Sequence, residues 1–404
     1  MLIVQKYGGT SVGSPERIKN VARRVVKRYK EGNSMVVVVS AMGDTTDDLI
    51  ALMKEVTKNP DGREMDMLLS TGEQVTISLL AMAIKDLGCE ATSLTGPQAG
   101  IKTTNVYSKA KITDIDKKRL KEELNKGKIV IVAGFQGINE YGDITTLGRG
   151  GSDTTAVALA VAVGADMCEI YTDVDGVYTT DPRLVPEAKK LPTISYDEML
   201  ELASLGAQVL HPRSVELSKI YGIKLQVRSS FNDNPGTIIQ EVTDMEKSLM
   251  VSGVAYDKNI AKIGLFNVPV RKKLAFETFK ALSDQNVNVD IIVQTASHDD
   301  VKDMSFTITK DDLRKALVVI ESLQPKIHFE GYTHDEDVAK VSIVGAGMIS
   351  NPGVAAMMFE ALADESINIE MITTSEIKVS CVIRDADIEK AVKAIHRKFE
   401  LDKI

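Results

Sequence analysis

The sequence predicts an α/β protein, a mostly parallel sheet with helices on both faces, followed by two smaller βαββαβ units. Three observations predict it. From Met1 to about Gln240, continuous apolar runs alternate with stretches of helical period, the pattern of strands buried on both faces and joined by crossover helices. The loops after these runs are rich in glycine and hydroxyl residues. Beyond a break near Phe231–Gly236 the chain repeats itself, with residues 282–290 (LSDQNVNVD) answering residues 362–370 (LADESINIE).

Composition narrows the class. The chain has 404 residues, 44% hydrophobic and 26% charged, with a net charge of −8 from mixed acidic and basic residues. That length fits two or three domains with full cores. No basic patch is present and aromatics make up 5%, which excludes stacking on nucleic acid. Cys89, Cys168 and Cys381 lie far apart and form no C-x-x-C pair, as expected of a reducing compartment and not of a zinc site. The N-terminus lacks the basic, apolar and small-residue series of a signal peptide. No apolar run approaches the roughly 20 residues that cross a bilayer. The expectation is a cytoplasmic protein with neither nucleic acid nor membrane as partner.

In chain order, residues 2–4 are a short apolar run. Lys6-Tyr7-Gly8-Gly9-Thr10-Ser11-Val12-Gly13 follows, and then a helical stretch from Pro15 to about Lys30. Paired glycines let a strand turn sharply into a helix with amide N–H groups unobstructed. The helix N-terminus adds partial positive charge, and Lys6 adds a full one. This is an anion-binding turn, but not the common P-loop, because Ser14-Pro15 stands where Lys-Ser/Thr is required. An ordinary glycine turn has the same local pattern, so the accompanying motifs decide.

Residues 35–39 form a β-branched run that ends in Ser40-Ala41-Met42-Gly43-Asp44-Thr45-Thr46. This loop suits a small polar ligand and equally suits a helix cap. Ser70-Thr71-Gly72-Glu73 opens a helix to Leu87, and the helix dipole favours Glu73 there in any case. Residues 128–133 are another strand, leading into Gly134-Phe135-Gln136-Gly137. A second glycine cluster, Thr145-Thr146-Leu147-Gly148-Arg149-Gly150-Gly151-Ser152-Asp153, enters the helix 154–163. Here a guanidinium, free amides and a helix N-terminus converge, a strong combination for an anion. Residues 167–171 form the next strand, followed by Thr172-Asp173-Val174-Asp175-Gly176-Val177-Tyr178 and Thr179-Thr180-Asp181-Pro182-Arg183. An aromatic, carboxylates and an arginine in one loop suit a nucleotide. The D-x-D-G fragment lacks the later acidic ligands of a calcium loop.

These five segments, KYGGTSVG, SAMGDTT, STGE, TTLGRGGSDTTA and TDVDGVYTTDPR in that order, closely resemble the aspartate kinases of the amino-acid kinase superfamily, and the likeness covers essentially the whole chain. The resemblance implies an amino-acid-kinase-type αβα sandwich and phosphoryl transfer from MgATP to the side-chain carboxylate of L-aspartate. It implies Lys6 and Asp153 as catalytic residues. With Lys6, it assigns Gly8, Gly9, Thr10, Ser11, Thr172, Asp173, Tyr178, Asp181 and Arg183 to ATP. Arg149 is implied for the aspartate α-carboxylate and Glu73 for its ammonium, with Ser40, Thr46, Gly150, Gly151 and Ser152 completing the pocket. No metal ligand is assigned. The chemistry agrees: an aspartate side chain, with a pKa of about 3.9, is already ionised at neutral pH, so no general base is needed. What is needed is positioning and electrostatic stabilisation of two anions. His211, within Val209-Leu210-His211-Pro212-Arg213, reads as structural. The alternatives are a kinase of another carboxylate or a carbamate, and a regulatory protein with a dead kinase domain. Arg149 with Glu73 argues against the first, and intact Lys6, Asp153 and glycine clusters against the second.

Residues 1–240 are thus expected to be catalytic and 241–248 a linker. The tandem resembles ACT domains, the amino-acid-sensing modules of ferredoxin-like fold that end aspartate kinases. Residues 261–336 form the first unit, with strands at 261–267, 287–292 and 304–309. Residues 337–404 form the second, one strand short, and the unassigned strand at 249–256 is expected to fill the vacancy. The first unit is then inserted into the second. The resemblance implies lysine and/or threonine as effectors, self-association through the ACT units, and effector contacts at Met348, Asn351, Asn368 and Ile369. Gly345-Ala346-Gly347 lacks the third glycine of a dinucleotide fingerprint. The first unit carries Val268-Pro269-Val270-Arg271-Lys272-Lys273 where related enzymes often have an Asp-x-Pro-Gly-like turn, which puts an effector site there in doubt.

Overall fold

Eight strands form the sheet that organises the N-terminal part of the chain in the computed structural model, which describes residues 1–207, 209–241, 249–296 and 300–404. Their spatial order is Thr193–Ile194, Thr237–Ile239, Leu225–Ser229, Met167–Thr172, Leu2–Tyr7, Ser34–Val39, Ile129–Ala133 and Ala91–Leu94. All adjacent pairs are parallel except Leu225–Ser229 with Thr237–Ile239. The register puts the carboxyl ends in one row: Tyr171 and Val39 both face Tyr7, and Val39 faces Ala133. The loops after Tyr7, Val39, Ala133 and Thr172 therefore leave the same edge, where ligands of such sheets bind.

Strand alternation decides which face each residue serves. Ile3, Met35, Val37, Ile129 and Ile131 pack with Val21, Val25, Ile77, Leu80 and Ile84 of helices Pro15–Lys30 and Thr71–Asp86. Helix Gly151–Val163 lies on strands Leu2–Tyr7, Ser34–Val39 and Met167–Thr172 and is buried on nearly every side, which explains its lack of a polar face. Gly164 ends it with φ 72°, a left-handed cap that glycine takes without strain. Ser14 starts helix Pro15–Lys30 by accepting from Arg17 N at 3.3 Å, with Pro15 in the first turn.

Three features depart from the sequence reading. A second, four-stranded sheet stands beside the first, in the order Ile112–Ile115, Ile101–Thr103, Gln136–Ile138 and Ile144–Thr146; its strands are too short to show a period. Helices Gly62–Leu69 and Thr71–Asp86 run almost end to end, so among the described residues one 25-residue stretch is long and apolar enough to cross a bilayer. Leu69, Ile77, Leu80 and Ile84 are buried, as are Asp66 and Glu73, so this is a core helix pair. Finally, the strand expected at 287–292 begins only at Ile292, and its counterpart in the second repeat begins at Met371. In the first case Thr307 captures the preceding backbone, its Oγ1 accepting from Ile291 N at 3.1 Å and its carbonyl from Asp290 N at 3.0 Å.

The described chain divides into two compact units. One holds Met1–Tyr178, Lys190–Ser204 and residues 209–241; the other holds Thr179–Lys189, Leu205–Ala207 and the described residues from 249 onward. All of the expected linker 241–248 except residue 241 lies outside the described residues. The second unit contains two antiparallel sheets, ordered Ile292–Gln294, Val301–Ile308, Ala261–Pro269, Gly331–Asp335 and Gly253–Asp257, Val338–Val344, Lys378–Arg384, Met371–Thr374. Gly253–Asp257 thus pairs with Val338–Val344, across the whole intervening segment. Ile260, Ile291, Val338, Met371 and Val382 form one apolar cluster, flanked by the ion pairs Lys262–Glu370 and Lys340–Asp290.

Candidate active site

The glycine turn after Tyr7 folds as read. Gly8 is extended, its amide donating to Tyr171 O at 3.3 Å, and Gly9–Val12 make one tight turn. A Cβ on Gly9 would stand 3.0 Å from the carbonyl oxygens of both Ala41 and Gly43, so the approach of the two loops requires glycine. Thr10 is exposed, and its carbonyl accepts from Arg17 Nη1 at 2.6 Å. Ser11 is buried and donates to Ser230 Oγ at 2.9 Å.

Lys6 points to the face covered by helix Gly151–Val163. Its Nζ lies 2.7 Å from Asp153 Oδ1, with both side chains 12% exposed, in an ionic contact without directed hydrogen-bond geometry. Asp153 stands in the first turn of that helix, where the dipole favours a carboxylate. Beside it Ser152 Oγ accepts from Ser40 Oγ at 3.0 Å. A Cβ on Gly134 would stand 2.7 Å from Ser152 Oγ, so this loop also closes on glycine.

Glu73 is 3% exposed. Its Oε1 accepts from Ala41 N at 3.2 Å, whereas Oε2 is buried without a hydrogen-bond partner. Burial pushes its pKa up to about 7, against the hydrogen bonds from its own amide and from Ala41. A buried carboxyl oxygen left unmatched is costly and calls for a donor. Thr46 is half-buried in the first turn of helix Thr45–Val56.

Arg149 is exposed and has no hydrogen-bond or ion-pair partner among the described residues. The flanking Gly150 has φ 71°, and a Cβ there would enter the imidazole of His211. Gly151 packs on Phe135. His211 caps helix Pro212–Tyr221 by accepting from Arg213 N at 3.3 Å, and burial holds its pKa below the ordinary value.

Among the residues assigned to a nucleotide, Thr172, Asp173 and Tyr178 lie in the first unit. Thr172 Oγ1 donates to Asp173 Oδ1 at 3.1 Å, and its carbonyl accepts from Ser230 N and Oγ. Tyr178 OH donates to Asp175 Oδ1 at 2.6 Å, and Asp175 Oδ2 accepts from Lys190 Nζ and Asn234 Nδ2 at 3.2 and 3.1 Å. Asp181 and Arg183 belong to the second unit, where Arg183 Nη2 meets Asp181 Oδ2 at 2.8 Å. Met348 and Asn351 sit at the turn after Val338–Val344, with Asn351 Nδ2 donating to Gly347 O at 2.7 Å. Asn368 and Ile369 precede Met371–Thr374, and no hydrogen bond joins these two pairs among the described residues.

Sequence reasoning missed Ser230, Lys190, Asp66 and Arg213, which hold the site's loops. Arg213 lay within the noted segment around His211; the others carry no local signal.

A parallel sheet whose strand ends gather two glycine turns, a lysine–carboxylate pair and a buried glutamate defines a kinase of the amino acid kinase family. The family model matches residues 1–229, and a model of the ACT domain matches residues 269–323 and 341–399. The chain belongs to the aspartokinases, kinases that use a carboxyl group as acceptor. It is 56% identical to the aspartokinase of Bacillus sp. (strain MGA3) over 99% of this chain and 97% of that one. It is 54% identical to aspartokinase 2 of Bacillus subtilis (strain 168), over 100% and 98%. Among solved structures it resembles E. coli aspartokinase III in complex with aspartate and ADP (R-state), with a TM-score of 0.85, 26% identity and coverage of 98% and 99%. The lysine and aspartate complex of that enzyme (T-state) gives 0.77, 25%, 98% and 99%.

Proposed function

We propose that this chain transfers the γ-phosphoryl group of ATP to the side-chain carboxylate of L-aspartate, giving 4-phospho-L-aspartate. The observation that carries this reading is Glu73, whose buried, unpartnered Oε2 suits the ammonium of an α-amino acid. Arg149 takes the α-carboxylate, and Ser40, Thr46, Gly150, Gly151 and Ser152 line the pocket. Lys6, held by Asp153, neutralises charge on the transferring group, while Gly8, Gly9, Thr10 and Ser11 hold the phosphates. Thr172, Asp173 and Tyr178 hold the rest of the nucleotide.

Among the described residues no three Asp, Glu, His or Cys side chains stand together as a metal cage. Mg2+, where bound, would be carried mainly on the phosphates of the nucleotide and would supply charge neutralisation there. The acceptor carboxylate is ionised at neutral pH, so the residues of the site orient and neutralise and move no proton.

Residues 249–404 are the regulatory part in this reading, binding lysine and/or threonine and pairing between subunits. Support comes from the lysine complex of E. coli aspartokinase III. The product leads to lysine, threonine and methionine. The test is ATP turnover with L-aspartate, alone and then with lysine, threonine and both. Aspartate-dependent turnover that either effector lowers supports the whole reading. Folded protein that binds an effector without turnover supports a regulatory protein instead, and turnover without response leaves the tandem as an association device.

A further inference from the structure

A buried and a half-buried side chain outside the pocket, Asp66 and Arg213, converge on the segment that presents Arg149. Asp66, on helix Gly62–Leu69, is 0% exposed. Its carboxylate accepts from Thr146 Oγ1 at 2.7 Å and Thr146 N at 2.9 Å, and from Ser108 N at 2.9 and 3.0 Å. Ser108 Oγ adds a longer contact of 3.4 Å. From the other side, Arg213 Nη1 donates to Leu147 O at 2.8 Å and Nη2 to Ala110 O at 3.3 Å. Ala110 N in turn donates to Thr146 O at 2.9 Å. Thr146 and Leu147 are thus held by side chain and backbone immediately before Gly148 and Arg149.

The position of Asp66 in its helix gives this anchoring a second end. Helix Gly62–Leu69 passes through Ser70 into the helix whose first turn carries Glu73. Ser70 O also accepts from Gln136 Nε2 at 2.8 Å. One carboxylate therefore ties the helical run bearing Glu73 to the strand that leads into Arg149. A buried carboxyl group matched by hydrogen bonds is a poor device for stability alone, since apolar groups of the same shape can serve nearly as well. As a fixed set of directed bonds between two segments, it defines a distance.

We infer that Asp66 and Arg213 are positioning residues that set the separation of Glu73 and Arg149, and so the fit of an α-amino acid between them. The inference rests on the proposed roles of those two groups. It predicts that the variants lose aspartate recognition and keep nucleotide recognition. A displacement of about 1 Å corresponds to a loss on the order of 10–100-fold.

The test is a set of steady-state measurements on full-length protein. Arg149→Ala comes first: if it does not raise the KM for aspartate above that for ATP, the underlying reading fails and this inference falls with it. Given that selective effect, Asp66→Asn and Arg213→Ala are each expected to raise the aspartate KM by at least about tenfold. The ATP KM should stay within about twofold, and Arg213→Lys should recover part of the loss. In the Arg149→Ala background either change should add little, because its effect acts through the missing guanidinium. Equal rises in both KM values, or full additivity, overturn the inference while leaving Arg149's role intact. If Asp66→Asn does not fold, the Arg213 pair decides alone, and an unchanged aspartate KM in Arg213→Ala overturns it.

Discussion

Lys6 Nζ and Asp153 Oδ1 meet at 2.7 Å between the end of a central strand and the first turn of a helix. The pair is nearly buried, and Asp153 fixes the position of the Lys6 ammonium, the charge proposed to meet the transferring phosphoryl group. Lys6→Ala is expected to abolish measurable aspartate-dependent turnover. It also leaves Asp153 buried without its cation, which costs about 3–5 kcal/mol in pairs of this kind. The double variant Lys6→Ala/Asp153→Ala should recover most of that stability and none of the turnover. Thermal unfolding and turnover on all three proteins separate the two roles. Turnover retained in folded Lys6→Ala removes the lysine from the mechanism.

Glu73 makes pH an independent probe. Burial lifts its pKa to about 7, from an ordinary value of 4.5. Between these values the folded state holds a proton that the unfolded state has lost. Stability therefore falls as pH rises from about 4.5 to 7, by about 3 kcal/mol in all, and is flat above. Glu73→Gln should remove that slope and be the more stable protein at pH 8, though it lacks a charge for the substrate ammonium. For wild type, the aspartate KM should rise as pH falls below 7, because binding needs the ionised form, while the ATP KM changes less. A Glu73→Gln protein with unaltered aspartate KM would sink the ammonium role.

Gly150 tests the backbone of the loop that carries Arg149. Its φ of 71° and the closeness of His211 make a side chain there doubly unfavourable. Gly150→Ala is expected to raise the aspartate KM by displacing Arg149. A Cβ on Gly150 would stand 2.4 Å from the His211 Cβ as well as against its ring, so His211→Gly, not alanine, should relieve the clash but not the backbone strain, giving partial recovery. Full recovery would mean that the turn tolerates a side chain and that only the His211 side chain is in the way.

What the sequence shows of this molecule depends on range along the chain. The strand ends were legible because parallel strands need continuous apolar runs, and the turn after Tyr7 because Gly8 and Gly9 announce a close approach. Glu73 stood out only as a first-turn acid; its unpartnered oxygen arises from packing against Ala41. Asp66 was invisible, since Thr146 and Ser108 reach it from distant segments. The same holds for Glu169, fully buried, which accepts from Arg28 and Gln5 at 2.6 and 2.7 Å behind the central strand. Buried polar networks have no period and no motif, and only the fold assembles them. The late start of the strand at Ile292 has a related origin, because a threonine on the neighbouring strand takes the backbone bonds first.

The two repeats differ at one equivalent position, and that difference can be measured. Gly353, before helix Val354–Asp364, has φ 97°, whereas Lys273, before helix Leu274–Asp284, has φ 70°. A lysine there carries a strain that glycine avoids, about 1–2 kcal/mol. Nothing lies within 4 Å of a Cβ added to Gly353, so Gly353→Ala meets backbone strain alone. The stiffer unfolded chain offsets part of it, by about 0.4–1 kcal/mol. The variant should therefore lose about 1 kcal/mol of stability, read from chemical unfolding, with turnover in the absence of effector unchanged. The turn also carries Met348 and Asn351. If these contact an effector, Gly353→Ala should weaken inhibition by lysine or threonine, while the matching change Lys273→Gly should not. Inhibition weakened by Lys273→Gly and untouched by Gly353→Ala would move the effector site to the first repeat.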